Sequence, residues 1–483
     1  MALRERQVQH LLRRAGFGAS REEVDFFAEL GIPAAIERLL NYEQAPDDAL
    51  THMGQAGYAR LPTTFTPATN IGHARLRWLF RMIYSPQPLR EKMTLFLHDQ
   101  LATSYNKIAD DYGSTTATRM MAAMPASDPG GKRGHIELIR DYALGSYRDL
   151  LIEIARDPAM LVWLDGETNK KGKPQENFAR EIMELFTIGR LNHTEQDVYE
   201  GARVFTGWNL KVTGMSSDVA RPFDFFYDAN QHDTGPKTFT FPIYPDGTTT
   251  IPARAAADGM QDGIDFINAL ARHPATGVRL AKRMWYFFVS EAVGPTPEFE
   301  QRVSGAYYSS GYNMRAMLLK VLTSPEFWDP TNFHSRYSWP TEYVVRALKE
   351  VGASDYNLSD VLGYMDQMSQ TLYAPPSVGG WLTGSGWFST GAMIARMNFA
   401  ASLTRAQRVV LREAAKPSAG TPQRLLSHAL DRLTACDYEG PPLRQLLTYL
   451  GTGANWNGTD TELGNKTAGV VHLILGSPEY QLV

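Results

Sequence analysis

Cysteine is almost absent. Cys436 is the only one in 483 residues, which excludes an internal disulfide framework, a cysteine-based zinc site and an iron–sulfur cluster held by this chain alone. Any divalent metal would have to be held by His and carboxylates. Long apolar runs are also missing: no window approaches the roughly 18 residues that a bilayer-spanning helix needs. The first residues, Met1-Ala-Leu-Arg-Glu-Arg-Gln-Val, lack the basic and then apolar pattern of a secretory signal. A cytoplasmic location is the default expectation, with an exported or periplasmic one left open, since a chain without disulfides can fold there too. Charge of one sign is lacking as well. Forty-eight Lys and Arg face 52 Asp and Glu, and a net charge of −4 supplies no field for nucleic acid or acidic lipid. No Walker A loop, Gly-x-Gly-x-x-Gly, His-Glu-x-x-His or Gly-x-Ser-x-Gly occurs, so nucleotide-cradling and standard serine-hydrolase readings have no support.

What is present reads as helix. With 43% apolar residues the chain can bury a large core. Val8, Leu11, Leu12, Ile36, Leu39 and Leu40 recur at three- and four-residue steps, and Ser20 with Glu23 forms a capping-box start. Pro88 opens a helix whose Met93, Phe96, Leu97 and Leu101 share one face. Residues 105–134 are rich in Gly, Ser, Thr, Asp and Pro and predict a mobile excursion with at most a short helix over 115–124. Between Lys211 and Pro252, aromatic and Thr alternation broken by Asp246-Gly predicts short strands. The expected fold is mainly α, an irregular multi-helix globular fold with a β-hairpin-like insertion around 222–252. It forms one helical domain over 1–483 with sub-units 1–210, 211–257 and 258–483.

The segment Gln175 to Ile188 predicts a two-faced helix. Phe178, Ala179, Ile182, Met183, Leu185 and Phe186 fall on one side, and Glu176, Asn177, Arg180, Glu181 and Glu184 on the other. Glu176, Arg180 and Glu184 are spaced as an i,i+4 ladder, which commonly does no more than stabilise an exposed face. If the face is covered, the same carboxylates could act as acid and base or hold a metal. A second helix starts at Thr194 with Asp197 as its box partner, and a link that short should bring Arg203 or Asp197 near the charged face of the first. His232-Asp233 with Lys237, and His98, are further candidates, although adjacent His and Asp usually point apart. The loop Ala374-Pro-Pro-Ser-Val-Gly-Gly-Trp-Leu-Thr-Gly-Ser-Gly-Trp is too rich in Gly and Pro for a regular element.

Several of these segments, in this order, resemble the bacterial family catalogued as domain of unknown function 1800. The matching text includes His10-Leu-Leu-Arg-Arg-Ala-Gly-Phe-Gly, Glu91-Lys-Met-Thr-Leu-Phe-Leu-His, Glu176-Asn-Phe-Ala-Arg-Glu-Ile-Met-Glu-Leu-Phe-Thr, Asp197 to Trp208, His232-Asp and Pro375-Pro-Ser-Val-Gly-Gly-Trp. One departure is Gln100, where the family often has a second His two residues after the first. The resemblance implies a shared helical architecture, an envelope role and a phosphatase-like protein encoded nearby as partner. It implies no agreed substrate.

Two functional expectations follow. In the first the chain is an acid–base or metal-assisted hydrolase: Glu181, Glu184, His98, His232 and Asp233 do the chemistry, while Glu176, Asn177, Arg180, Asp197, Arg203, Lys237 and Trp208 bind substrate. In the second it is a non-catalytic envelope protein that binds a glycan or a protein through Trp381 and Trp387, with Trp163 and Trp208 as further aromatic platforms.

Overall fold

The computed structural model describes residues 3–433, 438–451 and 456–483, so Cys436 lies outside the described residues. Its helices begin where local chemistry predicts. Ser20 and Glu23 form a complete capping box before helix Arg21–Leu30, Thr194 and Asp197 form one before Glu195–Val204, and Pro88 occupies the first turn of Pro88–Gln100. Twenty-three α-helices among the described residues make the fold mainly α, with two small antiparallel sheets. One apolar cluster extends from Val8 to Tyr480. No helix among the described residues is long and apolar enough to cross a membrane.

The β region differs in pairing from a single hairpin. Phe223–Tyr227 pairs with Trp208–Val212, which starts before the expected boundary, and Lys237–Thr238 pairs with Thr250–Ile251 around the Asp246-Gly turn. Residues 105–134 are corrected more strongly. Instead of a mobile excursion they carry helices Tyr105–Tyr112 and Ser114–Ala122, the second buried from Thr116 to Ala122. Buried Asp128 accepts both arms of Arg119 (2.7 and 2.8 Å) and the backbone N–H groups of Gly130 and Lys132 (both 2.9 Å), so the Gly-rich text is a pinned turn.

Helix Pro88–Gln100 positions the site. Its spacing predicts one apolar face, yet every residue from Glu91 to Gln100 is buried. The polar ones are tolerated because they are partnered: Glu91 accepts from Trp78 Nε1 (3.1 Å) and Arg140 Nε (2.6 Å), and Lys92 pairs with Glu342. Arg336 meets Glu342 with both arms, at 2.9 and 2.7 Å.

Candidate functional site

The segment expected as one helix from Gln175 to Ile188 is α-helical only over Asn177–Glu181 and widens to a π-helix over Ile182–Phe186. Its last carbonyls, left free by the end of the helix, are taken by side chains from elsewhere. Leu185 O accepts from Gln100 Nε2 (2.6 Å) and Arg279 Nε (3.0 Å), and Phe186 O accepts from Tyr147 Oη (2.7 Å). Thr187 Oγ1 donates back to Ile182 O, and Gly189, at φ +83°, ends the element.

The polar face is the ladder its spacing predicts. Arg180 joins Glu176 (3.1 Å), Glu184 (3.5 Å) and Glu195 (2.8 Å), and Glu184 also meets Arg190 (3.2 Å) and His193 (3.6 Å). Glu176, Arg180, Glu181 and Glu184 are half-buried and Asn177 is exposed. Burial, then the Glu184 charge, raises the Glu181 carboxyl above the usual carboxylate range.

The following helix packs beside this one, but Arg203 and Asp197 turn the other way. Arg203 holds Asp233 with two arms (2.9 and 3.1 Å), and Asp197 accepts from the backbone and hydroxyl of Thr240 (2.7 and 2.6 Å). His232 and Asp233 do point apart. His232 Nδ1 lies 2.8 Å from Thr206 O and its Nε2 lies 3.3 Å from Asp262, which also takes Lys237 (2.6 Å) and Arg254 (2.9 Å). Lys237, His232 and Asp262 are fully enclosed, which makes this a clasp between the β region and helix Met260–Arg272. Trp208, Trp381 and Trp387 are buried, so these rings pack inward and are not available as platforms, whereas Trp163 is half-buried.

The C-terminal end of helix Pro88–Gln100 is different, because it borders a cleft of about 320 Å³. Phe96, Phe287 and Trp339 supply apolar wall, while Asp99, Arg283 and Glu291 supply charge, with Tyr286 and Thr383 also lining the space. Asp99 Oδ1 accepts from Trp381 N (2.8 Å) and its Oδ2 lies 3.2 Å from Arg283 Nη2. Arg283 Nε donates to Gln100 Oε1 (2.5 Å), so Gln100 bridges Arg283 and the π segment. Burial pushes the Asp99 carboxyl up to about 6, although Arg283 and the Trp381 N–H act to lower it. Glu291 accepts two backbone N–H groups, from Tyr337 (2.9 Å) and Gly384 (3.0 Å).

The Gly-rich loop is therefore a strap tied to both cleft carboxylates through Trp381 N and Gly384 N. Gly380 is required there: it has φ +89°, and a Cβ would lie 2.2 Å from Asp99 Oδ1.

Next to Asp99, His98 faces inward. It is fully buried among Trp78, His135, Tyr373 and Trp381, with neither ring nitrogen hydrogen-bonded, and burial and then His135 hold it well below the usual histidine range. It is a neutral imidazole. His135 Nδ1 lies 2.8 Å from Asp157. No three His, Cys, Asp or Glu side chains gather as a metal-holding group among the described residues.

The sequence points to the His98-Asp99 pair and to the Gly-rich loop, but it gives Asp99 no role and does not single out Arg283 or Glu291. The adjacent glycines of that loop were the available signal, since Gly380 marks the close approach of another chain segment. Arg283 and Glu291 lie in ordinary helical text and at a helix end, with no local signature.

No curated protein and no solved structure matches the chain. A family model described as "Protein of unknown function (DUF1800)" matches residues 10–482, and the chain belongs to that family.

Proposed function

We propose that the chain is an acid–base catalyst for a small molecule held in the cleft, of hydrolase type, with Asp99 as the proton-transfer group. The observation that carries this reading is a carboxyl in the wall of a cleft with its ionisation brought to about 6, within reach of physiological pH. As a carboxylate, Asp99 takes a proton from water as the water oxygen bonds to the acyl or phosphoryl centre of the substrate, and it returns that proton to the leaving oxygen as the ester bond breaks. Arg283, fixed by Gln100, then faces the negative charge that develops. Phe96, Phe287 and Trp339 exclude bulk water from one side.

In this reading Glu181 and Glu184 touch no substrate, and their helix contributes through the Leu185 carbonyl that holds Gln100. The test is a panel of p-nitrophenyl carboxylic and phosphoric esters assayed across pH. The expected result is hydrolysis with an inflection near pH 6 that Asp99→Asn abolishes at unchanged melting temperature, while Glu181→Gln and Glu184→Gln retain the activity. Activity that survives Asp99→Asn, or that vanishes with the two glutamate variants, would sink the cleft as the site.

A further inference from the structure

The charges around the cleft are not balanced. Lys92 and Arg336 lie behind its apolar wall, with Lys92 Nζ 5.3 Å and Arg336 Cζ 4.7 Å from the centre of the Phe287 ring. Both pair with the single carboxylate of Glu342. Arg14 is fully buried and feels Arg336 and Arg13 as well as Glu342 and Glu291. Its Nη2 has only a carbonyl, Asn332 O at 2.8 Å.

Arg279 precedes Arg283 by one helical turn and donates to the Leu185 carbonyl. Arg279 is lowered by burial and then by Arg283, and Lys92 is lowered to about 8 chiefly by burial, with Arg336 and Arg14 adding to the effect. The lining itself holds one cation, Arg283, and two carboxylates, Asp99 and Glu291, while Lys92, Arg336 and Arg14 lie in the buried layer behind it with Glu342. Glu291 is already solvated by two backbone N–H groups. Arg283 is about a third exposed, and it bonds through Nε and Nη2, which leaves its Nη1 donors without a partner among the described residues.

A cation entering this cleft would meet rings whose buried side is already occupied by Lys92 and Arg336, which weakens the attraction that aromatic walls otherwise offer it. We infer that the cleft selects a small organic anion, a carboxylate on an aromatic or branched apolar body. The charged end lies against Arg283 and the body against Phe96, Phe287 and Trp339. This inference rests on the cleft being the functional site and adds the class of its ligand.

Three probes of equal shape and different charge separate the outcomes: 1-naphthoate, 1-naphthylmethylamine and 1-naphthalenemethanol, titrated calorimetrically into the full chain. The expected result is that naphthoate binds on the order of tenfold or more tighter than the other two. Arg283→Gln should reduce it to the level of the alcohol, Arg283→Lys should restore part of the difference, and Trp339→Ala should weaken all three. Tighter binding of the amine, with the same Trp339 dependence, would overturn the anion inference and leave the cleft reading standing. If no probe binds, or if binding ignores both Arg283→Gln and Trp339→Ala, the inference and the cleft reading fall together.

Discussion

Asp99 and Glu342 are both buried carboxyls, and their neighbours drive them in opposite directions. Asp99 has one arginine arm at 3.2 Å and one backbone N–H, which is too little to offset burial, and its carboxyl rises to about 6. Glu342 suffers the same burial, but Arg336 and Lys92 overcome it and hold the carboxyl at about 2. The consequence for stability has a definite sign. A folded-state value below the ordinary 4.5 means that Glu342 stabilises the fold fully above about pH 4.5, and this contribution is lost as pH falls towards 2. Glu342→Gln should therefore cost about 3–5 kcal/mol at pH 7, because it strands Lys92 and Arg336, and should flatten the acid side of the stability profile measured by urea unfolding. Gly380→Ala is the matching test on the strap. The strained backbone alone costs about 1–3 kcal/mol, and the added methyl group must also displace Asp99. A lower melting temperature and loss of the pH 6 inflection are expected together.

At the scale of elements, the helix around 177–186 joins what the sequence disclosed to what it hid. Its two faces and its arginine ladder were legible, because i,i+4 spacing is a local property. The partners of its last carbonyls were not, because Gln100, Arg279 and Tyr147 reach in from other helices to take Leu185 O and Phe186 O. The Gly-rich loop shows the same division: its irregularity was readable, whereas its docking on Asp99, 282 residues away, was not. Gln100 also gives the departure from the family pattern a role, since its amide donates to Leu185 O and accepts from Arg283. Gln100→Ala should leave the protein folded, loosen Arg283 and weaken binding of 1-naphthoate, with little change for the neutral alcohol.

For the whole molecule, capping boxes and apolar periodicity made the mainly α fold readable, and composition located the β region, although its first strand, Trp208–Val212, begins before the expected boundary. The 105–134 segment misled because the chemistry that turns a chain also pins one, and only the Arg119 pairing distinguishes the two cases. The apolar cluster spans all three expected sub-units, and ties such as His10 to the Phe327 carbonyl (2.9 Å) and Lys92 to Glu342 join the first to the third. We expect one cooperative calorimetric transition, with van't Hoff and calorimetric enthalpies equal; two resolved transitions would instead separate 1–210 from 258–483.

If Asp99 in the strapped cleft is poised for proton transfer, the amide of Trp381, which donates directly to its Oδ1, reports on it. In protein labelled with ¹⁵N-tryptophan, with the resonance assigned by Trp381→Phe, that amide shift should titrate with a midpoint near 6 and become flat in Asp99→Asn. A shift that is already independent of pH in the unaltered chain, or that moves only with the midpoint of an ordinary carboxylate near 4, would contradict the account.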